Sequence, residues 1–148
     1  MAYSVVFTLP PIVRVLLAAS TDLANVEILT GPRRVKAGAD ALAIQDMRAT
    51  HARVVTGGWR RESGSFIVRA HVEVSGAGED AIDAARERAD ALLGFAADVL
   101  EADCTLGGVL LSCDVTEVAE DDQAAPQNQH EFTAHMTVSF TADVQPGV

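Results

Sequence analysis

One stretch of this chain limits the folds open to it more than any other. It runs from Glu79-Asp80-Ala81-Ile82 to Ala102-Asp103 and leaves through Cys104-Thr105-Leu106-Gly107-Gly108-Val109. Ile82, Ala85, Ala89, Leu92, Leu93, Ala96, Val99 and Leu100 recur at steps of three and four. Asp83, Arg86, Glu87, Asp90, Asp98 and Glu101 take the opposite face. That spacing predicts a long amphipathic helix lying on a sheet. Glu79, Asp80 and Asp83 suit its amino end, where the helix dipole favours negative charge. Pairs Asp83–Arg86 and Arg86–Asp90 add a few tenths of a kcal/mol, ~0.2–0.5 each. Glu101 and Asp103 oppose the dipole at the other end. Gly94, on the polar face, costs about 1 kcal/mol relative to alanine unless another backbone approaches it closely. Gly107-Gly108 ends the helix, since glycine tolerates positive φ.

The strands around this helix read less evenly. His130–Val144 alternates without a fault. Phe132, Ala134, Met136, Val138, Phe140, Ala142 and Val144 share one face, and Glu131, Thr133, His135, Thr137, Ser139, Thr141 and Asp143 share the other. Such alternation predicts a sheet with one face buried, in a strand longer than the usual ~5–6 residues. Ser65–Ser75 alternates too, with Ile67 as the exception, between turn signals at Ser63-Gly64 and Gly76-Ala77-Gly78. Val109–Val118 reads as a strand, and residues 119–129, with Glu120-Asp121-Asp122, Pro126 and Asn128, as a hairpin loop. Upstream, Pro10-Pro11 opens a helix carrying Ile12, Val13, Leu16 and Leu17; proline suits a first turn because its missing N–H has no helical partner there. Asn25–Thr30 is a short strand closed by Gly31-Pro32. Residues 33–58 are expected to form a long loop with an embedded strand, Ala41-Leu42-Ala43-Ile44 being either a short strand or a helical turn. A loop of that length in a compact domain is usually functional or ordered by a partner. The expected fold is therefore α+β: a mainly antiparallel sheet with an N-terminal helix and one long amphipathic helix packed on it, in a single domain spanning 1–148.

With 148 residues, roughly 70% of the unfolded chain's surface can be buried, so no metal or disulfide staple is needed. Cys104 and Cys113 give no disulfide framework. Met1-Ala2-Tyr3-Ser4 lacks the basic region of a signal peptide, and no apolar run is long enough to span a membrane. The formal net charge of -10 argues against gripping nucleic acid through its phosphates. The charge is also uneven. Arg33, Arg34, Lys36, Arg48, Arg53, Arg60, Arg61 and Arg69 cluster in the first half, and no Lys or Arg follows Arg88. Two readings stay open: contact between charge-complementary copies, or solvated faces.

Catalytic and metal motifs are lacking. His130 and His135 fall on opposite strand faces. No glycine cluster has phosphate-loop or dinucleotide spacing. Ser63-Gly64-Ser65 is not a nucleophile elbow. Cys104 sits beside Asp103, which opposes thiolate formation. Glu120-Asp121-Asp122 lacks a calcium-loop pattern and reads as a solvated tip. No catalytic, cofactor or metal residue is assigned. The candidate interface is Trp59, Arg60, Arg61, Arg33, Arg34 and Lys36: a tryptophan beside arginines makes an interface anchor, or else it folds over the sheet edge.

The order of elements carries a resemblance. A proline-started helix leads through Leu23-Ala24-Asn25-Val26-Glu27-Ile28 to a strand ending at Gly31-Pro32. A strand ending in Ser75-Gly76 runs straight into the helix Ala84-Ala85-Arg86-Glu87-Arg88-Ala89-Asp90-Ala91-Leu92-Leu93, then Ala102-Asp103-Cys104-Thr105-Leu106-Gly107-Gly108, then two antiparallel strands. This resembles the tail terminator proteins of long-tailed (siphovirus-type) bacteriophages, particularly those of actinobacterial hosts, over essentially the whole chain. Cys104 stands where proline is expected. The resemblance implies a non-enzymatic structural protein without cofactors, assembled in the host cytoplasm. It would form a hexameric ring at the head-proximal end of the virion tail. That ring would cap the tail tube protein, stop its polymerisation and offer a docking surface to the head-tail connector or head-closure protein. DNA would pass through the lumen without specific binding, and no membrane would be involved. A tail tube subunit or another neck or tail-completion protein is the alternative. A small cytosolic ligand-binding or enzymatic domain comes last, because no pocket of convergent polar groups can be assembled.

Overall fold

The computed structural model describes residues 4–31, 40–53, 59–121 and 131–144. A 3-10 turn, Val5–Phe7, leads into helix α1, Leu9–Ala18. Strand β1, Glu27–Thr30, is followed by β2, Ala41–Arg53, and β3, Arg60–Glu73. Helix α2, Glu79–Ala102, precedes β4, Ser112–Glu120, and β5, Glu131–Val144. The five strands form one sheet in the order β1-β2-β3-β5-β4. Only β1 and β2 are parallel; every other neighbouring pair is antiparallel. The fold is α+β, as the alternation of β5 and the periodicity of α2 predict.

Both helices cover one face of the sheet. Leu9, Val13 and Leu17 of α1 and Ala85, Ala89, Leu92, Leu93, Ala96 and Leu100 of α2 are buried against it. From the sheet come Leu42 and Ile44, the even-numbered run Phe66–Val72, and the even-numbered run Phe132–Val144. These thirteen-odd apolar side chains are contiguous, so the burial that drives folding is concentrated in one layer between helices and sheet. Leu29, Ala41 and Ala43 form a smaller cluster of their own.

Three expectations need correction. Residues 33–58 are not simply a long loop with a short insert, because 41–53 form β2, a thirteen-residue strand. Its alternation is interrupted by a bulge between Gln45 and Arg48, where Asp46 takes φ 52°. A bulge shifts the phase of a period-two pattern, which hides the strand from the sequence. Secondly, Ser63-Gly64 is not a turn but lies inside β3, with Gly64 between Ala49 and Phe140. Thirdly, nothing lies within 4 Å of a β-carbon built on Gly94, which is exposed, so no close backbone approach explains that glycine. The expected hairpin loop at 119–129 is strand at Ala119 and Glu120, and residues 122–130 lie outside the described set.

The exit of α2 explains an acid that the helix dipole disfavours. Leu106, Gly107 and Gly108 have successive positive φ values of 48°, 74° and 89°. Asp103 fastens this turn: it accepts from Thr105 Oγ1 (2.8 Å) and Gly107 N (2.8 Å). The Thr105 hydroxyl first, then the Gly107 N–H, hold its carboxyl below the ordinary carboxylate value.

Candidate functional site

The expected interface residues are only partly brought together. Trp59 is exposed at the start of β3. Arg60 and Arg61 follow it at the open end of the β2–β3 pair, opposite Arg53 and Ala52. Arg61 is already engaged. Its guanidinium forks onto Asp143 of β5, Nε to Oδ1 at 2.9 Å and Nη2 to Oδ2 at 3.2 Å. This bidentate pair pulls the Asp143 carboxyl down, chiefly through the hydrogen bond. Arg33, Arg34 and Lys36 lie outside the described residues.

The sheet face away from the helices is polar and more ordered than the sequence suggests. Arg69 of β3 donates to Asp121 Oδ2 (2.8 Å) and to Gln45 of β2. Asp121 Oδ1 also accepts from His135 Nδ1 (2.6 Å). Nearby, His71 Nδ1 donates to Glu131 Oε1 (2.6 Å). Closer to the other end of the strands lie two hydroxyl pairs, Ser112–Thr141 and Thr116–Ser139, each at 3.0 Å. Ser63, Ser65 and Asp114 complete an open depression of about 800 Å³ around Gly64 and Phe140.

Of the acidic run expected as a solvated tip, Glu120 and Asp121 are taken up in ion pairs, and Asp122 lies outside the described residues. Glu120 meets Arg86 of α2, which also holds Asp83 at 2.6 Å and lies over the Phe132 ring, 5.6 Å from its centroid. Asp121 bridges Arg69 and His135. The expected Arg86–Asp90 pair gives way to Arg86–Glu120. Among the histidines, His51, His71 and His135 each bind a carboxylate, and His130 is outside the described residues. Sequence reasoning missed these contacts because the partners lie far apart in the chain, 52 residues for Arg69–Asp121 and 82 for Arg61–Asp143. Within one copy, Arg61 and Arg69 of the basic cluster are thus paired with acids of the second half.

Asp121 gives a pH prediction. Burial pushes its carboxyl up, while hydrogen bonds from His135 and Thr133 and the charges of Arg69 and His135 pull it further down, for a net lowering. A carboxyl depressed by folding stabilises the fold above its unfolded value, about 3.9, and that contribution disappears as pH falls through the folded value. Asp121→Asn should therefore lower stability by about 2 kcal/mol at pH 7. The difference from the parent should shrink towards zero near pH 2–3, as read by denaturant titration at both pH values; an equal gap at both would contradict it.

Among the described residues no three His, Cys, Asp or Glu side chains are grouped to hold a metal. Cys104 is exposed. Cys113 is half-buried, and burial pushes its thiol up to about 11. No described helix is long and apolar enough to cross a membrane. Further concave places among the described residues include an apolar groove of about 400 Å³ between α1 and the α2 exit, lined by Pro11, Ile12, Val15, Leu16 and Leu106, and a cleft of about 430 Å³ between α2 and β4. Val15, in the lining of the first, is exposed.

No family model and no curated protein matches the sequence. Solved structures do match. One is a chain from the virion of a native gene transfer agent particle, which superposes with a TM-score of 0.61 over 97% of this chain and 99% of that one. The two share a fold. Their sequence identity is 14%, so the likeness to the virion chain is one of architecture. It spans both chains almost end to end.

Proposed function

We propose that this protein is a structural component of a phage-like virion, and specifically a tail terminator. Six copies form a ring at the head-proximal end of the tail, which stops tube growth and receives the head-tail connector or head-closure protein. DNA passes through the lumen without specific binding. The observation that carries the virion reading is the end-to-end fold likeness to a virion chain. The terminator role rests on the element order, from the proline-started helix to the Leu106-Gly107-Gly108 exit and two closing strands. The polar, hydroxyl-rich outer face of the sheet, with its histidines and arginines paired to acids, suits a surface past which DNA slides. It offers few free cations to hold phosphates.

A tail tube subunit is the second reading. β2 favours it: the strand runs on beyond the four residues covered by β1, giving an open edge of the kind that could meet a neighbouring copy. Removing the gene from a particle-forming genome separates the two. A terminator's loss yields overlong, irregular tails that fail to join heads, and a label on the protein marks one end of the tail. Tails of normal length, or a label along the whole tail, would overturn the terminator role.

A further inference from the structure

Three runs of strand backbone have a side with no strand beside it among the described residues: the outer flank of the four-residue β1 and two longer stretches. β4 is the last strand on one side of the sheet. On the other side, β1 covers β2 only over Ala41–Ile44, which leaves Arg48–Arg53 open on its outer flank. An unpaired strand edge presents backbone N–H and C=O groups ready to pair with another chain. The two edges differ in charge. β4 contains Asp114, Glu117 and Glu120 and no Lys or Arg, whereas Arg48–Arg53 contains Arg48, His51 and Arg53, with one acid, Asp46, in the bulge just before it.

Their geometry is matched as well. Arg48 stands opposite Ser65, Ser65 opposite Ser139, and Ser139 opposite Asp114. Arg48 and Asp114 therefore occupy one rung of the sheet, at its two ends. Both are exposed, and among the described residues neither has an ion-pair partner. Because β2–β3, β3–β5 and β5–β4 are all antiparallel, β4 runs opposite to β2. A second copy in the same orientation thus brings its β2 antiparallel to this β4.

We propose that the first residues of β4, Ser112–Asp114, pair in one copy antiparallel with Arg48–Thr50 of the next, Asp114 facing Arg48, and that the contact ends where β1 covers Ala41–Ile44. This rests on the ring reading above and names the surface that closes the ring. Charge selects the pairing. Two β4 edges together would set acid against acid, and two β2 edges arginine against arginine, and like charges directly opposite each other destabilise a strand pair. The mixed pairing is complementary. It joins different surfaces of the two copies, the heterologous contact that builds rings.

The test uses particles assembled with the protein carrying Arg48→Cys and Asp114→Cys in a Cys104→Ser background, treated with a short bis-maleimide. A ladder of covalent multimers is expected in the double variant, and none in either single variant. Protein present in particles without a ladder overturns the edge pairing and leaves the ring reading standing. Wild-type protein absent from purified particles overturns the ring reading and the pairing with it. If the cysteine variant fails to enter particles, charge exchange decides. Arg48→Asp or Asp114→Arg alone should lower incorporation about tenfold, and the two together should restore it, since the swing from attraction to repulsion is worth roughly one decade. Unchanged incorporation of the single variants overturns the proposal.

Discussion

Gly64→Ala is expected to destabilise the protein by about 3 kcal/mol, and larger side chains at this position to prevent folding. A β-carbon placed on Gly64 would lie 2.1 Å from the carbonyl oxygen of Arg48, 2.9 Å from Cα of Ala49 and 2.7 Å from Cζ of Phe140. The phenyl ring can swing away, but the two backbone atoms belong to the neighbouring strand and cannot. Relief requires β2 to separate from β3 at the point where the bulge has already disturbed their pairing. For a domain of this size the melting temperature should fall by roughly 6–12 °C, measured by circular dichroism. Gly94→Ala is the matched control. It adds the same methyl group where nothing lies within 4 Å, and helix propensity should make it neutral or stabilising by up to about 1 kcal/mol. Equal melting temperatures for Gly64→Ala and the parent would show that the two strands are not in fact so close.

Glu62→Leu should have an effect of similar size for a different reason. Glu62 is fully buried, yet its carboxylate is well supplied with donors. Oε2 accepts from Ser4 Oγ at 2.6 Å and from His51 Nε2 at 2.8 Å, and Oε1 from Val5 N at 2.8 Å. Leucine fills the space but leaves the Ser4 hydroxyl and Val5 N–H buried without acceptors. Each such orphan costs about 1–3 kcal/mol, so a loss of about 3–5 kcal/mol is expected on breaking the set. Ser4→Ala removes one donor and should cost about 1 kcal/mol. Hydrogen exchange localises the effect: the amides from Val5 to Leu9 should lose protection first in Glu62→Leu. Uniform loss across the sheet would mean that Glu62 supports β3 rather than the N-terminal turn.

These two residues also mark where the sequence was hard to read. α2 and β5 were legible because each keeps one period over its whole length and buries one face. β2 was not, because Ala41–Ile44 are all buried and so do not alternate, and the bulge then reverses the phase for Arg48–Arg53. Gly64 signalled a turn on local grounds, but packing against Arg48 and Phe140 decided otherwise. Glu62 sits in the polar run Arg60-Arg61-Glu62-Ser63, which looks like a loop until Ser4 is placed against it. The expected interface residues were legible only as a cluster of types. That Arg61 is tied to Asp143, while Arg48 is exposed with no ion-pair partner among the described residues, depends on strand order, which no local pattern records.

The Glu62 contacts also bear on how the chain comes together during translation. Ser4 and its acceptor are 58 residues apart, an interval of about 3–12 s at ~5–20 residues per second. Until then the Ser4 hydroxyl and Val5 N–H must stay hydrated. Even after Glu62 emerges, β3 lacks one of its two neighbours until β5 has been made. The N-terminal turn is in this sense a late closure, and a nascent chain stalled before β5 would leave it unfastened.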